Sequence, residues 1–244
     1  PGIPYRTANP EHRLNVVTAR MSALHDEPDH FLRWMRQRDP DAHGDEYVSR
    51  GVYGEYLKDL LDAAESSLPR GVRLRRITDE VTSLRITPKS VTVRLRDGAD
   101  FRSDRVVIAT GPLPGGDPVE VPEPLRESGT YINNAWDETA IEPAMNDEAV
   151  LVIGTGLTMI DAAISLAGAP GGPVVRAISR NGLVPKPHRP GYTTVSELKL
   201  PPTGPLSIND AMGIFLAEEC RLQVAGGDWR DAMDSMRRST PDLW

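Results

Sequence analysis

Apolar positions along this chain follow three different spacings in turn, and each spacing predicts a different element. The segment from Pro1 to Pro28 has no strong period and reads as irregular, rich in Asn, His and Arg. After Asp29, a possible cap, Phe31, Leu32, Trp34 and Met35 share a short helical face that ends near Pro40. Tyr53, Tyr56, Leu57, Leu60 and Leu61 recur at helical spacing as far as about Ser67. Strict alternation then takes over in Val72 to Ile77, Glu80 to Ile86 and Ser90 to Arg96. Asp97-Gly98 is a turn signal, and Phe101 to Arg105 returns as an antiparallel strand. This predicts a small meander. It leads into Arg105-Val106-Val107-Ile108-Ala109-Thr110-Gly111, whose continuous apolar run predicts a buried strand ending at a glycine.

Pro112 to Pro124 is rich in proline and glycine and reads as a linker or crossover. Tyr131-Ile132-Asn133 suggests a short strand. Ala149 to Ala167 then forms a strand, a glycine turn and a helix, closed by Gly168-Ala169-Pro170, and Val174 to Ile178 is the next strand. An irregular stretch follows through Pro185, Pro187, Pro190 and Pro201-Pro202. Ser207 to Ala225 reads as a helix, and Trp229, Met233 and Met236 suggest another. No internal repeat and no low-complexity tract interrupts this order.

The turn at Gly154-Thr155-Gly156-Leu157 carries the clearest chemistry. A glycine turn between a buried parallel strand and a helix lets the backbone approach a pyrophosphate, at which the new helix points its free N–H groups and positive dipole end. Gly154, Thr155, Gly156 and Leu157 are therefore candidate nucleotide-binding residues. The third glycine position is Met159, so the fingerprint is incomplete, and such turns also join strands to helices that bind nothing. An acidic residue that grips the adenine ribose is expected about 20 residues on, at the end of the next strand. Ser179-Arg180 stands there instead. A hydroxyl and a guanidinium suit a 2′-phosphate, which favours NADPH over NADH; the alternative is an arginine merely solvated at a strand end.

Composition narrows the partners. With 39% hydrophobic and 26% charged residues among 244, the chain has the make-up of a globular protein, and a net charge of −7 argues against nucleic acid. Arg75-Arg76 and Arg237-Arg238 read as solvated faces. The single Cys220 excludes an intrachain disulfide and a Cys-x-x-Cys pair, and fits a cytoplasmic location. No run approaches the roughly 18 apolar residues of a membrane span. There is no Gly-x-Ser-x-Gly elbow, no His-Glu-x-x-His and no Cys/His metal spacing, which assigns the difficult chemistry to a cofactor. His12, His25, His30 and His43 read as solvent-facing or capping residues, while His188 lies closer to the nucleotide unit. Asp161 reads as a first-turn carboxylate favoured by the helix dipole, and Trp229 and Trp244 as core anchors.

Several motifs fall in one order. Leu14-Asn15-Val16, Ala19-Arg20-Met21-Ser22, Tyr53-Gly54-Glu55-Tyr56-Leu57, Val106 to Gly111, Tyr131 with Trp136-Asp137, Gly154 to Asp161, Ser179-Arg180-Asn181-Gly182 with His188, and Asp228-Trp229-Arg230 together resemble the FAD/NAD(P)-binding oxidoreductases related to flavin monooxygenases and FAD-dependent urate hydroxylase-like proteins. The resemblance spans nearly the whole chain and implies an α/β, Rossmann-like architecture with two dinucleotide sites. It implies a partial FAD-binding domain over 1–111, an NAD(P)-binding subdomain over 112–187 and a helical segment over 188–244. Asn15, Arg20 and Met21 are implied flavin neighbours, Gly111 a further implied cofactor-binding residue, and FAD and NADP the implied cofactors. The implied activity is transfer of hydride from NADPH to FAD, with monooxygenation of a small organic substrate as one outcome; a nucleotide-binding or interaction module without redox chemistry is the alternative. The group's first strand-glycine-helix unit has no counterpart before Tyr5, and the chain opens at Pro1 and closes at Leu243-Trp244. The expectation is thus a piece truncated at both ends that holds FAD weakly.

Overall fold

The computed structural model describes residues 2–111, 115–168, 170–187, 198 and 207–238. His188, Trp244, Ala169 of the helix stop, Pro112, Pro190 and Pro201-Pro202 lie outside the described residues. The chain divides into two compact units, Pro1–Lys186 and Pro187–Trp244.

In the first unit, the N-terminal segment makes two short 3-10 turns, Ile3–Tyr5 and Thr18–Arg20. Between them it runs alongside residues 44–50, held by Leu14 N–H to the Val48 carbonyl (2.8 Å), Thr18 N–H to Glu46 (2.9 Å) and Ala19 N–H to Gly44 (2.8 Å). Two helices follow, α1 (His30–Arg36) and α2 (Arg50–Ser66). Helix α2 begins where Ser49 accepts a hydrogen bond from Gly51 N–H, the usual way a serine satisfies a free donor at a helix start. The apolar faces of the two helices meet in an aromatic cluster. Phe31 and Tyr56 are fully buried, and the Phe31 and Tyr53 rings meet edge-on with centroids 5.0 Å apart. The polar ends of this cluster are paired: the Tyr56 hydroxyl lies 2.9 Å from His30 Nδ1, and Trp34 Nε1 donates to Asp59 at 3.2 Å.

Burial in this cluster, reinforced by Tyr56 and Tyr5, pushes the Tyr53 phenol from 10.0 up to about 12. A phenol whose folded value is raised stabilises the fold fully below its unfolded value and loses that contribution as pH climbs through the folded one. The protein is therefore expected to lose stability between pH 10 and about 12. Urea unfolding across that range should show a shallower fall in a Tyr53→Phe variant; identical slopes would locate the alkaline sensitivity elsewhere.

The meander forms as expected: β1 (Val81–Thr87), β2 (Ser90–Leu95) and β3 (Asp100–Ser103) make an antiparallel sheet in the order β1-β2-β3. Thr87 pairs with Ser90 and Val93 with Phe101, and Gly98 takes φ +90° at the second turn. Val72 to Ile77, predicted as a strand, is not one. Nor is Arg105 to Gly111, where Val107 is 88% and Ile108 71% exposed. An apolar run becomes a buried strand only when a neighbour supplies its ladder, and no described segment pairs with either stretch. Tyr131 to Asn133 likewise forms no strand, although Ile132 packs in an apolar cluster.

Two short helices, α3 (Glu123–Glu127) and α4 (Glu138–Ile141), lead to the strand β4 (Ala149–Ile153), the helix α5 (Leu157–Ala167) and the strand β5 (Val174–Ile178). Strands β4 and β5 pair in parallel from Ala149↔Val174 to Ile153↔Ile178. Leu166 of α5 packs with Ile141, Ala144, Val150 and Val175 and seats the helix. Met159 is buried within α5.

The second unit contains the helices α6 (Ile208–Val224) and α7 (Trp229–Arg238), joined through Gly226 at φ +83°. A capping box between Ser207 and Asp210 starts α6. Glu218 is buried and accepts from Ser235 Oγ at 3.2 Å, tying the two helices together. Trp229, expected as a core anchor, is 44% exposed, because the inward face of α7 is made by Ala232 and Ser235.

Candidate functional site

The glycine turn between β4 and α5 has the backbone its sequence requires. Gly154 takes φ +111°, where only glycine is unstrained, and its N–H donates to the Ile178 carbonyl at 2.7 Å, closing the turn against the end of β5. Gly156 is the N-cap of α5 and brings no side chain to cap the helix, so the first N–H groups face outward unblocked. Among the described residues, a Cβ built on Gly154 or Gly156 meets nothing within 4 Å. The turn thus offers donors and room together, which is what a pyrophosphate needs.

The flanking side chains divide the work. Thr155 Oγ1 lies 2.8 Å from Ser179 Oγ and also bonds the Leu183 carbonyl, while Gly182 N–H donates to Ser179 Oγ at 3.1 Å. Ser179 is consequently engaged in bracing the turn. Arg180 is exposed and has no ion-pair partner among the described residues, which leaves its guanidinium the freer group for a phosphate. Leu157 is 45% exposed at the start of α5.

Asn15, Arg20 and Met21 lie on the segment held along residues 44–50. Asn15 is exposed, its side chain without a hydrogen bond among the described residues; Arg20 is half-buried; and Met21 packs against the aromatic cluster. Gly111 is exposed at φ +72°.

Between these two groups lies a polar network that sequence reasoning missed. His12, expected as a solvent-facing or capping residue, is 6% exposed. Its Nε2 stands 3.0 Å from both the Asp161 carbonyl and Ser165 Oγ, and its Nδ1 2.7 Å from Thr7 Oγ1. A carbonyl can only accept, so Nε2 carries a proton, and in the neutral ring Nδ1 accepts from the threonine hydroxyl. Asp161, expected in the first turn of α5 facing the dipole, sits in the second turn instead, buried and ion-paired with Arg50. The Arg50 guanidinium also lies 5.6 Å from the centroid of the Trp136 ring. A cavity of about 720 Å³ opens beside the network, lined by Asn9, His12, Trp136, Asp161 and Ser165. One signal could have exposed Asp161: it is the lone carboxylate in the otherwise uncharged run Leu157 to Ala167. His30 bonds the Tyr56 hydroxyl, whereas His25 and His43 are exposed as expected.

Residues 1–113 match the family described as FAD-NAD(P)-binding. The matched stretch contains Asn15, Arg20, Met21 and Gly111 and ends before the Gly154 turn. The match supports FAD and NADP as the cofactors, and flavin-linked oxidoreductase chemistry with them. None of the curated proteins compared with the chain matches it. Among the described residues no group of three or more His, Cys, Asp or Glu side chains could hold a metal ion, and no helix is long and apolar enough to cross a membrane.

Proposed function

We propose that the protein is a flavin-dependent NAD(P)H oxidoreductase of Rossmann-like architecture. The observation that carries this reading is the uncapped helix start at Gly156, facing open space beside a family-matched FAD-NAD(P)-binding segment. Backbone N–H groups from Thr155 to Leu157 would receive the NADP pyrophosphate, aided by the helix dipole. Arg180 would pair with the 2′-phosphate, and Ser179, through Thr155, would hold the turn in shape. Asn15, Arg20, Met21 and Gly111 would border the flavin. NADPH and FAD supply hydride donor and acceptor; the chain orients their rings and excludes water. We extend the reading, on the sequence resemblance, to monooxygenation of a small organic substrate. The charge of −7 and the single cysteine support a cytoplasmic protein without a nucleic-acid partner.

Two variants test the nucleotide site. Gly156 is extended at φ −81° with no atom of the described residues near its Cβ, so Gly156→Val should leave the fold intact while crowding the pyrophosphate. A charge-assisted hydrogen bond contributes about 1.5–3 kcal/mol, so the variant should bind NADPH about one to two decades more weakly by calorimetry. Arg180→Ala should lose a similar factor for NADPH and little for NADH. Unchanged affinities in both folded variants would remove the assignment. With FAD in excess, NADPH should bleach the visible flavin absorbance; nucleotide binding without bleaching would favour a binding module.

A further inference from the structure

We propose that the buried Arg50–Asp161 pair, backed by His12, is a positioning joint that couples FAD binding on the Asn15–Met21 segment to NADP binding at the Gly154 turn. The inference rests on the two-cofactor reading above and adds the device that makes the two sites sense one another.

Three contacts close a triangle. Asp161 is held at its carboxylate by the Arg50 guanidinium and at its carbonyl by His12 Nε2, 3.0 Å away. Arg50 and His12 are joined directly, because Arg50 N–H donates to the His12 carbonyl at 2.8 Å. None of the three residues can shift without straining the other two. Both charged side chains are nearly buried, at 12% and 9% exposure, where a misaligned ion pair is not rescued by water.

Each corner of the triangle leads to a cofactor segment. Asp161 lies in α5 five positions beyond Gly156, about 7.5 Å along the helix axis, so a tilt of α5 as phosphate enters the turn is felt at the carboxylate. His12 begins the stretch that carries Asn15, and the hydrogen bonds from Leu14, Thr18 and Ala19 to residues 44–48 transmit its position to Met21. Arg50 ends that same ladder and starts α2, whose Tyr53 and Tyr56 belong to the cluster against which Met21 packs. Thr7 and Ser165 fix the His12 ring from its two sides, keeping the joint in one arrangement. Two well-packed apolar residues would hold the elements together equally well, but they lack the directional bonds that set angle and register.

A coupling between sites is reciprocal: whatever factor NADP⁺ contributes to FAD affinity, FAD contributes to NADP⁺ affinity. FAD affinity of the whole chain, measured by quenching of flavin fluorescence without and with saturating NADP⁺, is expected to improve by about fivefold or more in the parent protein. Arg50→Lys keeps the charge but loses the guanidinium fork. It should leave each single-cofactor affinity within about twofold and bring the coupling factor close to one. The double variant Arg50→Met/Asp161→Leu removes the ion pair without stranding a charge and should behave the same way. Leu95→Ala, which loosens the β-meander outside this path, should keep the coupling although it lowers stability. Two results would overturn the inference: cofactors that both bind the parent protein independently of each other, or full coupling retained in the lysine and the double variant. A parent protein that binds neither FAD nor NADP⁺ would instead defeat the cofactor reading, and the joint with it.

Discussion

Arg50→Met is expected to destabilise the protein by about 3–5 kcal/mol, the usual cost of removing one partner of a buried ion pair. Asp161 would keep its burial at 9% side-chain exposure and lose its counter-charge, with no other cation bonded to it among the described residues. The His12 bond to the Asp161 carbonyl would survive, so the helix would remain in place while its carboxylate went unpaired. Replacing both partners, as Arg50→Met/Asp161→Leu, should recover most of the loss because no charge is stranded. Urea midpoints at an unchanged slope measure both effects. A single variant within about 1 kcal/mol of the parent would mean that water reaches Asp161, and that the pair behaves as a surface one.

The second large effect is expected at Gly54. Exchanging a mid-helix glycine for alanine ordinarily stabilises a helix by about 1 kcal/mol. In α2 the new Cβ would overlap the Tyr5 carbonyl oxygen and stand 3.3 Å from its carbon. These are backbone atoms of the N-terminal turn, which cannot swing aside as a side-chain tip would. Tyr5 would have to withdraw, and its ring, 5.1 Å from that of Tyr53, would leave the aromatic cluster. Overpacking of this kind costs about 1–3 kcal/mol and occasionally more, so Gly54→Ala should be destabilising by about 2–3 kcal/mol despite the helix gain. Gly213 in α6 is the control, since nothing among the described residues lies within 4 Å of its Cβ. Gly213→Ala should show the helix gain alone. Equal shifts in thermal midpoint for the two variants would show that Tyr5 yields freely.

Local signals accounted for the elements that need only themselves or an adjacent partner. The helical spacing of Tyr53 to Leu61 became α2, and the alternation around Asp97-Gly98 became the β1-β2-β3 meander. The glycine turn at Gly154 adopted the positive φ that its composition demands. These features rest on backbone preference and on neighbours a few residues away, which a linear pattern records. Arg105 to Gly111 has the same local pattern as a buried strand and is not one, because a ladder partner is a distant segment that periodicity does not name.

The glycine turn was thus determined by the sequence, down to Gly154, Gly156 and the arginine after β5. The joint behind it was decided only by the tertiary structure. Arg50 and Asp161 are 111 positions apart, and His12 is 149 positions from the carbonyl it holds; each in isolation resembles an ordinary surface group. Their burial follows from α5 packing through Leu166 while its opposite contacts close on the N-terminal segment, and a charge taken out of water must find its counter-charge wherever folding has put it.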